Sequence, residues 1–136
     1  MYQVTRKSKI SEQLQLCHAD GSVALDINVE INVDTLGNKI NKAYEIVGRA
    51  QNELKKDPHS EKLLDEYGAA VIALFEAIFG AKNAADILAF YDGNETEMLL
   101  DIFPFINEVI LPMVRAASEA RKEQLRAAAN LAKRIK

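Results

Sequence analysis

The stretch that decides the fold is VALDINVEINVD, residues 23–34. Val23, Leu25, Ile27, Val29, Ile31 and Val33 take one set of alternate positions; Ala24, Asp26, Asn28, Glu30, Asn32 and Asp34 take the other. Successive side chains of a strand point to opposite faces, so the pattern predicts a strand with one aliphatic face and one wet face. Upstream, ISEQLQLCH (10–18) alternates more weakly through Leu14 and Leu16, and ADGS (19–22) supplies turn chemistry at Asp20-Gly21. Residues 10–33 therefore read as a β-hairpin. A lone hairpin is marginal in water, so its greasy face must cover helices or pair with a neighbour.

Downstream the apolar period lengthens to three and four. Leu36, Ile40, Ala43, Tyr44, Val47, Ala50 and Leu54 predict an amphipathic helix to about Lys56, capped by Asp34 or Thr35. DPHS (57–60) breaks it, and Ser60 is placed to cap a second helix. That helix has acids and Lys62 in its first turn, carries apolar residues from Leu63 to Phe79, stops at Gly80, and is apolar nearly all round from Gly68 onward; it is the expected buried centre. A short third helix covers about 82–91 and ends at DGN (92–94). The last helical segment starts near Glu95 and carries Pro104 and Pro112. Proline inside a helix costs about 3 kcal/mol, so a restart at Pro104 and a kink near Pro112 are expected. The predicted fold is α+β and mostly helical, an N-terminal β-hairpin followed by four to five helices, the last long and proline-kinked. Residues 1–136 read as a single domain with a flexible basic arm (1–9), the hairpin (10–33), a helical body (34–112) and a basic helical tail (113–136).

With 49% hydrophobic and 27% charged residues, the composition is that of a soluble globular protein and excludes wholesale disorder. No run approaches the roughly 18–20 apolar residues of a membrane span. The N-terminal MYQVTRKSKI has bases but no apolar block behind them, unlike a secretory signal. A lone Cys17 rules out an intrachain disulfide framework. A cytoplasmic protein without a membrane partner is expected. Its charge is lopsided: residues 115–136 hold seven bases against Glu119 and Glu123, whereas residues 10–114 hold seven bases against eighteen acids, a net of −11. A basic tail on an acidic body suits nucleic acid, an acidic partner or a second copy, and self-association needs the fewest assumptions.

Tests for chemistry come out against a catalyst. Asp26, Asn28 and Glu30 have the first spacings of a calcium loop, but Ile31 and Gly37 stand where the loop needs glycine and a bidentate glutamate. On a strand they form a solvated or subunit-facing row instead. Cys17 and His18 are strand neighbours that point to opposite faces, and one cysteine with two histidines offers no zinc spacing. Asp92, Glu95 and Glu97 in YDGNETE read as capping residues of the following helix. No catalytic residue, metal ligand or cofactor is expected. The tail could track phosphates, but no aromatic follows Phe105 and no nucleic-acid motif is present, so nucleic acid is disfavoured. The cluster MLLDIFPFINEVILPMV (98–114) holds more apolar residues than one helix face can bury. Phe103, Phe105, Ile110 and Met113 flank its two prolines and are the candidate surface for partner binding and self-association.

The arrangement resembles a known family. A hairpin ending in DINVEINVD leads into TLGNKINKAYEIVGRAQNEL, then YGAAVIALFEAIFG, then ILAFYDGNETEMLLDIFPFINEVILP and a charged helical tail. This is similar to the tail assembly chaperones of long-tailed phages and prophages of Gram-positive bacteria. The most distinctive pieces are LFEAIFG, FYDGNETEML and FPFINEVILP; none is a catalytic signature. The resemblance implies a non-catalytic cytoplasmic protein that binds the tape-measure protein while tail-tube subunits polymerise around it, and that self-associates. An oligomeric adaptor of unrelated role is the alternative, and a nucleic-acid-binding regulator using the basic tail comes third.

Overall fold

The computed structural model describes residues 1–4 and 10–135. Arg6, Lys7 and Lys9 of the expected basic arm, Lys136 and the side chains of Lys133, Arg134 and Ile135 lie outside the described residues. The chain is α+β and mostly helical, an antiparallel β-hairpin followed by helices. Strands β1 (Ile10–Cys17) and β2 (Val23–Ile31) pair with Gln13 opposite Asn28 and Leu14 opposite Ile27. At the turn, Asp20 accepts hydrogen bonds from the Ser22 N–H (2.9 Å) and hydroxyl (2.6 Å), which hold its carboxyl below the usual range. Gly21 there has φ +88°, a conformation that favours glycine. The alternation predicted from sequence sets the faces. Leu16, Ile27, Val29 and Ile31 are buried, with β2 against helices that follow, while Gln13, Gln15, Asp26, Asn28 and Glu30 face out. One departure is Glu12, half-buried on the aliphatic side opposite Val29. A carboxylate there discourages another strand from pairing with the β1 edge.

Helix α1 (Val33–Lys56) opens two to three residues earlier than the sequence suggested. Its cap is Asn32, whose side-chain oxygen accepts from the Asp34 N–H at 3.1 Å, not Asp34 or Thr35. The strand ends at Ile31 so that Asn32 can take this extended capping conformation. Ser60 caps α2 (Glu61–Phe79) by accepting from Leu63 N–H, as expected. Helix α2 carries the centre of the core through Val71, Leu74, Phe75 and Ile78, and Gly80 at φ +84° turns the chain into α3 (Ala81–Phe90). Gly48, in the middle of α1, has open space where a Cβ would stand. Gly48→Ala should therefore raise stability by about 0.5–1 kcal/mol, read as a higher urea midpoint at unchanged slope. A fall in midpoint would show that the position is enclosed.

The prolines behave differently from expectation. Helix α4 (Glu95–Phe105) runs through Pro104 without a restart. Pro104 and Leu100, one turn apart, are both exposed, so the carbonyl that loses its donor lies on the wet side of the helix. A π-helical segment (Ile106–Ile110) then joins α4 to α5 (Leu111–Ile135), and Leu111 N–H donates to Ile106 O across the wider turn. That widening gives Pro112 room against the carbonyl four residues back, so the strain expected at Pro112 is absorbed just upstream of it. Residues of every element contribute to one buried cluster, from Leu16 of the hairpin to Val114 of α5.

Candidate functional site

Helix α5 packs on the N-terminal half of α1, and three contacts mark its path. Arg115 lies over the Tyr44 ring at 5.8 Å, Ser118 Oγ is 3.4 Å from where a Gly37 Cβ would stand, and Arg121 forms an ion pair with Asp34 at 2.5 Å. Residue numbers rise along α5 as they fall along α1, so the two helices run in opposite directions. A side chain at position 37 would also meet Val33 at 3.2 Å, so glycine permits this approach. Since α1 begins at Val33, its surface ends where Arg121 is reached. From Glu119 to Ala132 every residue of α5 is exposed. Residues 122–135 therefore extend about 20 Å past the last contact. Leu125 (54% exposed) and Leu131 (61%) stand on this free half with Ala128 between them, at helical spacing on one side.

The four residues chosen from sequence do not form one patch. Phe103 is half-buried and stacks on Tyr44, with ring centroids 6.2 Å apart, while Tyr44 Oη donates to Asn107 Oδ1 at 3.2 Å. Phe105 is half-buried against Phe79 at 6.5 Å. Met113 is half-buried, and Ile110 is fully buried. Ile110 is thus core and has no surface to offer. The two phenylalanines are occupied within the chain because α4 crosses α1 and α2 on that side. Leu131 is the residue that the sequence reading missed. The apolar stripe expected from the sequence runs through Val114, Ala117, Leu125, Ala128, Ala132 and Ile135 and passes beside Leu131, although that residue's spacing of three from Ala128 was a usable signal. Leu100, on α4, is 70% exposed but lies alone between Thr96 and Pro104.

In the polar row of β2, Asp26 is satisfied locally. Asp26 accepts from Gln13 Nε2 at 2.6 Å and Gln15 Nε2 at 3.4 Å across the strand pair. Among the described residues no group of three or more His, Cys, Asp or Glu side chains is disposed to hold a metal ion. In YDGNETE the cap is Asn94 and not one of the carboxylates: its side-chain oxygen accepts from Glu97 N–H at 3.0 Å and its amide donates to the Glu97 carboxylate at 3.5 Å, with Glu95 and Glu97 in the first turn. Among the described residues, surface depressions accompany the helices. A cleft of about 440 Å³ lies between Asn28, Glu30, Lys39 and the α2–α3 corner at Gly80. A groove of about 240 Å³ between α1 and α2 is floored by Ala43, Ala70, Ala73 and Ala77, beside Ile46, with Lys39 and Lys42 on its rim.

Tyr91 is the most perturbed group. Burial, a hydrogen bond to Asp101 and the negative charges of Asp101 and Glu97 push its phenol up to about 12. In an unfolded chain the same phenol ionises near 10. Its contribution to stability is therefore complete below about pH 10 and is lost as pH rises towards about 12. Phenolate absorbance should show one tyrosine titrating last; a Tyr91→Phe variant that retains the late step would overturn the assignment. Among the described helices none is long and apolar enough to cross a membrane. Comparison with family models, curated proteins and solved structures finds no match to this chain.

Proposed function

We propose that this protein is a non-catalytic assembly chaperone that binds the tape-measure protein of a long-tailed phage and keeps it competent during tail construction. The reading starts from the resemblance of DINVEINVD, LFEAIFG, FYDGNETEML and FPFINEVILP to tail assembly chaperones. The observation that supports it best is the free half of α5, where leucines stay in water on a helix that the body does not cover. A protein that holds another chain needs apolar surface available for it and enough charge around that surface to prevent its own aggregation. This free half of α5, the C-terminal arm, supplies both.

The test is affinity capture of the tagged full chain from its native cells during phage or prophage induction, with mass spectrometry of what is retained. Recovery of a very long tape-measure-like protein is expected. Recovery of the chain alone, while tails are being made, would overturn the reading in favour of an oligomeric adaptor.

A further inference from the structure

We infer that residues 122–132 of α5 form a docking site for an acidic amphipathic helix of another protein, seated on Leu125, Ala128 and Leu131. This inference rests on the binding role above and names the chemistry of the segment that is bound. Its starting point is a mismatch of lengths. The helix is anchored by Arg115, Ser118 and Arg121, and α1 ends beneath the last of these. Beyond that point the apolar side continues through Leu125, Ala128 and Leu131 with no described residue over it. A free helix of this length is marginal in water, and a second helix laid along it would stabilise the arm as well as bury its leucines.

Charge selects the occupant. Residues 122–136 hold five bases against Glu123, a net of +4. Two such arms laid side by side would set like charges within a Debye length of about 8 Å, which disfavours arm–arm pairing. The body of a second copy carries the opposite net charge, but its acids do not border an apolar seat of helical length. Its apolar α1–α2 groove is rimmed by Lys39 and Lys42, again like charge. Leu100, the exposed leucine of α4, has Thr96 and Pro104 above and below it and no stripe for a helix of several turns. A helix with an apolar seam flanked by Glu and Asp meets the leucines and the bases together. Lys122 and Arg126 pair along their own helix with Glu119 and Glu123; these pairs are exposed, worth little, and open to exchange for an incoming carboxylate.

The experiment uses the full chain and two synthetic helical peptides of equal length and identical leucine seam, one flanked by Glu and the other by Lys, with binding read by fluorescence anisotropy. The Glu-flanked peptide should bind at least about tenfold more tightly than the Lys-flanked one, and more weakly as salt rises. Leu125→Glu with Leu131→Glu should abolish that binding with the circular dichroism and melting unchanged, since both side chains are exposed. Lys122→Glu with Arg126→Glu should erase the preference between peptides, since residues 122–136 then carry three bases and three acids. Equal binding of both peptides, or retention by the leucine variant, would overturn the site. Competition by duplex DNA would overturn it in favour of a nucleic-acid surface. Concentration-dependent self-association removed by the leucine substitutions would overturn it in favour of a second copy. If the Glu-flanked peptide binds at the arm but native capture returns no tail protein, the assembly role fails and the site stands. If the leucine variant still captures a tape-measure-like protein, the site fails and the role stands.

Discussion

Phe75→Ala is expected to cost about 3–5 kcal/mol, a large share of the roughly 5–15 kcal/mol that holds a domain of this kind folded. Phe75 is fully buried in the middle of α2. Its ring lies 5.5 Å from that of Phe79, which in turn stacks on Phe105 at 6.5 Å, so the aromatic contacts run from α2 into α4. Alanine removes the ring's transfer free energy and leaves a cavity that close-packed neighbours fill only in part. The urea midpoint should fall steeply at unchanged slope, and the melting temperature by about 10 °C or more. A loss under about 1 kcal/mol would mean that α2 is not the centre of the core.

Val29→Asp and Asn28→Asp, one residue apart, should differ by about 3 kcal/mol or more. Val29 is 1% exposed on the inner face of β2, and Asn28 is exposed on the outer one. A carboxyl at position 29 has no partner and is pushed above its ordinary pKa, because burial penalises the charged form. It binds its proton more tightly when folded, so the variant is less handicapped at acid pH and loses further stability as pH rises past about 4. The same substitution at position 28 should stay within about 0.5 kcal/mol of the parent. Equal costs at the two positions would contradict the strand register, since a slip of one residue exchanges the faces.

Much of this architecture was legible in advance. The hairpin, the turn at Asp20-Gly21, the cap at Ser60, the stop at Gly80 and the central place of α2 all follow from local sterics and from which side of a strand or helix is apolar. The cap of α4 lies in the expected segment but on Asn94, not on the carboxylates of Asp92, Glu95 or Glu97. The misreadings occurred where two local rules competed. Asn32 fits both the polar face of the strand and the cap of a helix, and it caps. Pro104 reads as a break, but on a solvent-facing turn its lost hydrogen bond costs less, and the helix continues. Pro112 reads as a kink, and the π segment before it supplies the room instead.

The choice of Phe103, Phe105, Ile110 and Met113 shows what a sequence does not carry. Their spacing to the prolines says nothing about which neighbours reach them, and in the fold Tyr44 and Phe79 take the two phenylalanine faces while Ile110 sinks into the core. Sequence by itself determined the elements and their inward faces, because periodicity and capping act over a few residues. Tertiary structure alone decided which apolar residues stay uncovered. That depends on where one helix ends against another: α1 starts at Val33, its surface ends beneath Arg121, and Leu125 and Leu131 are left in water.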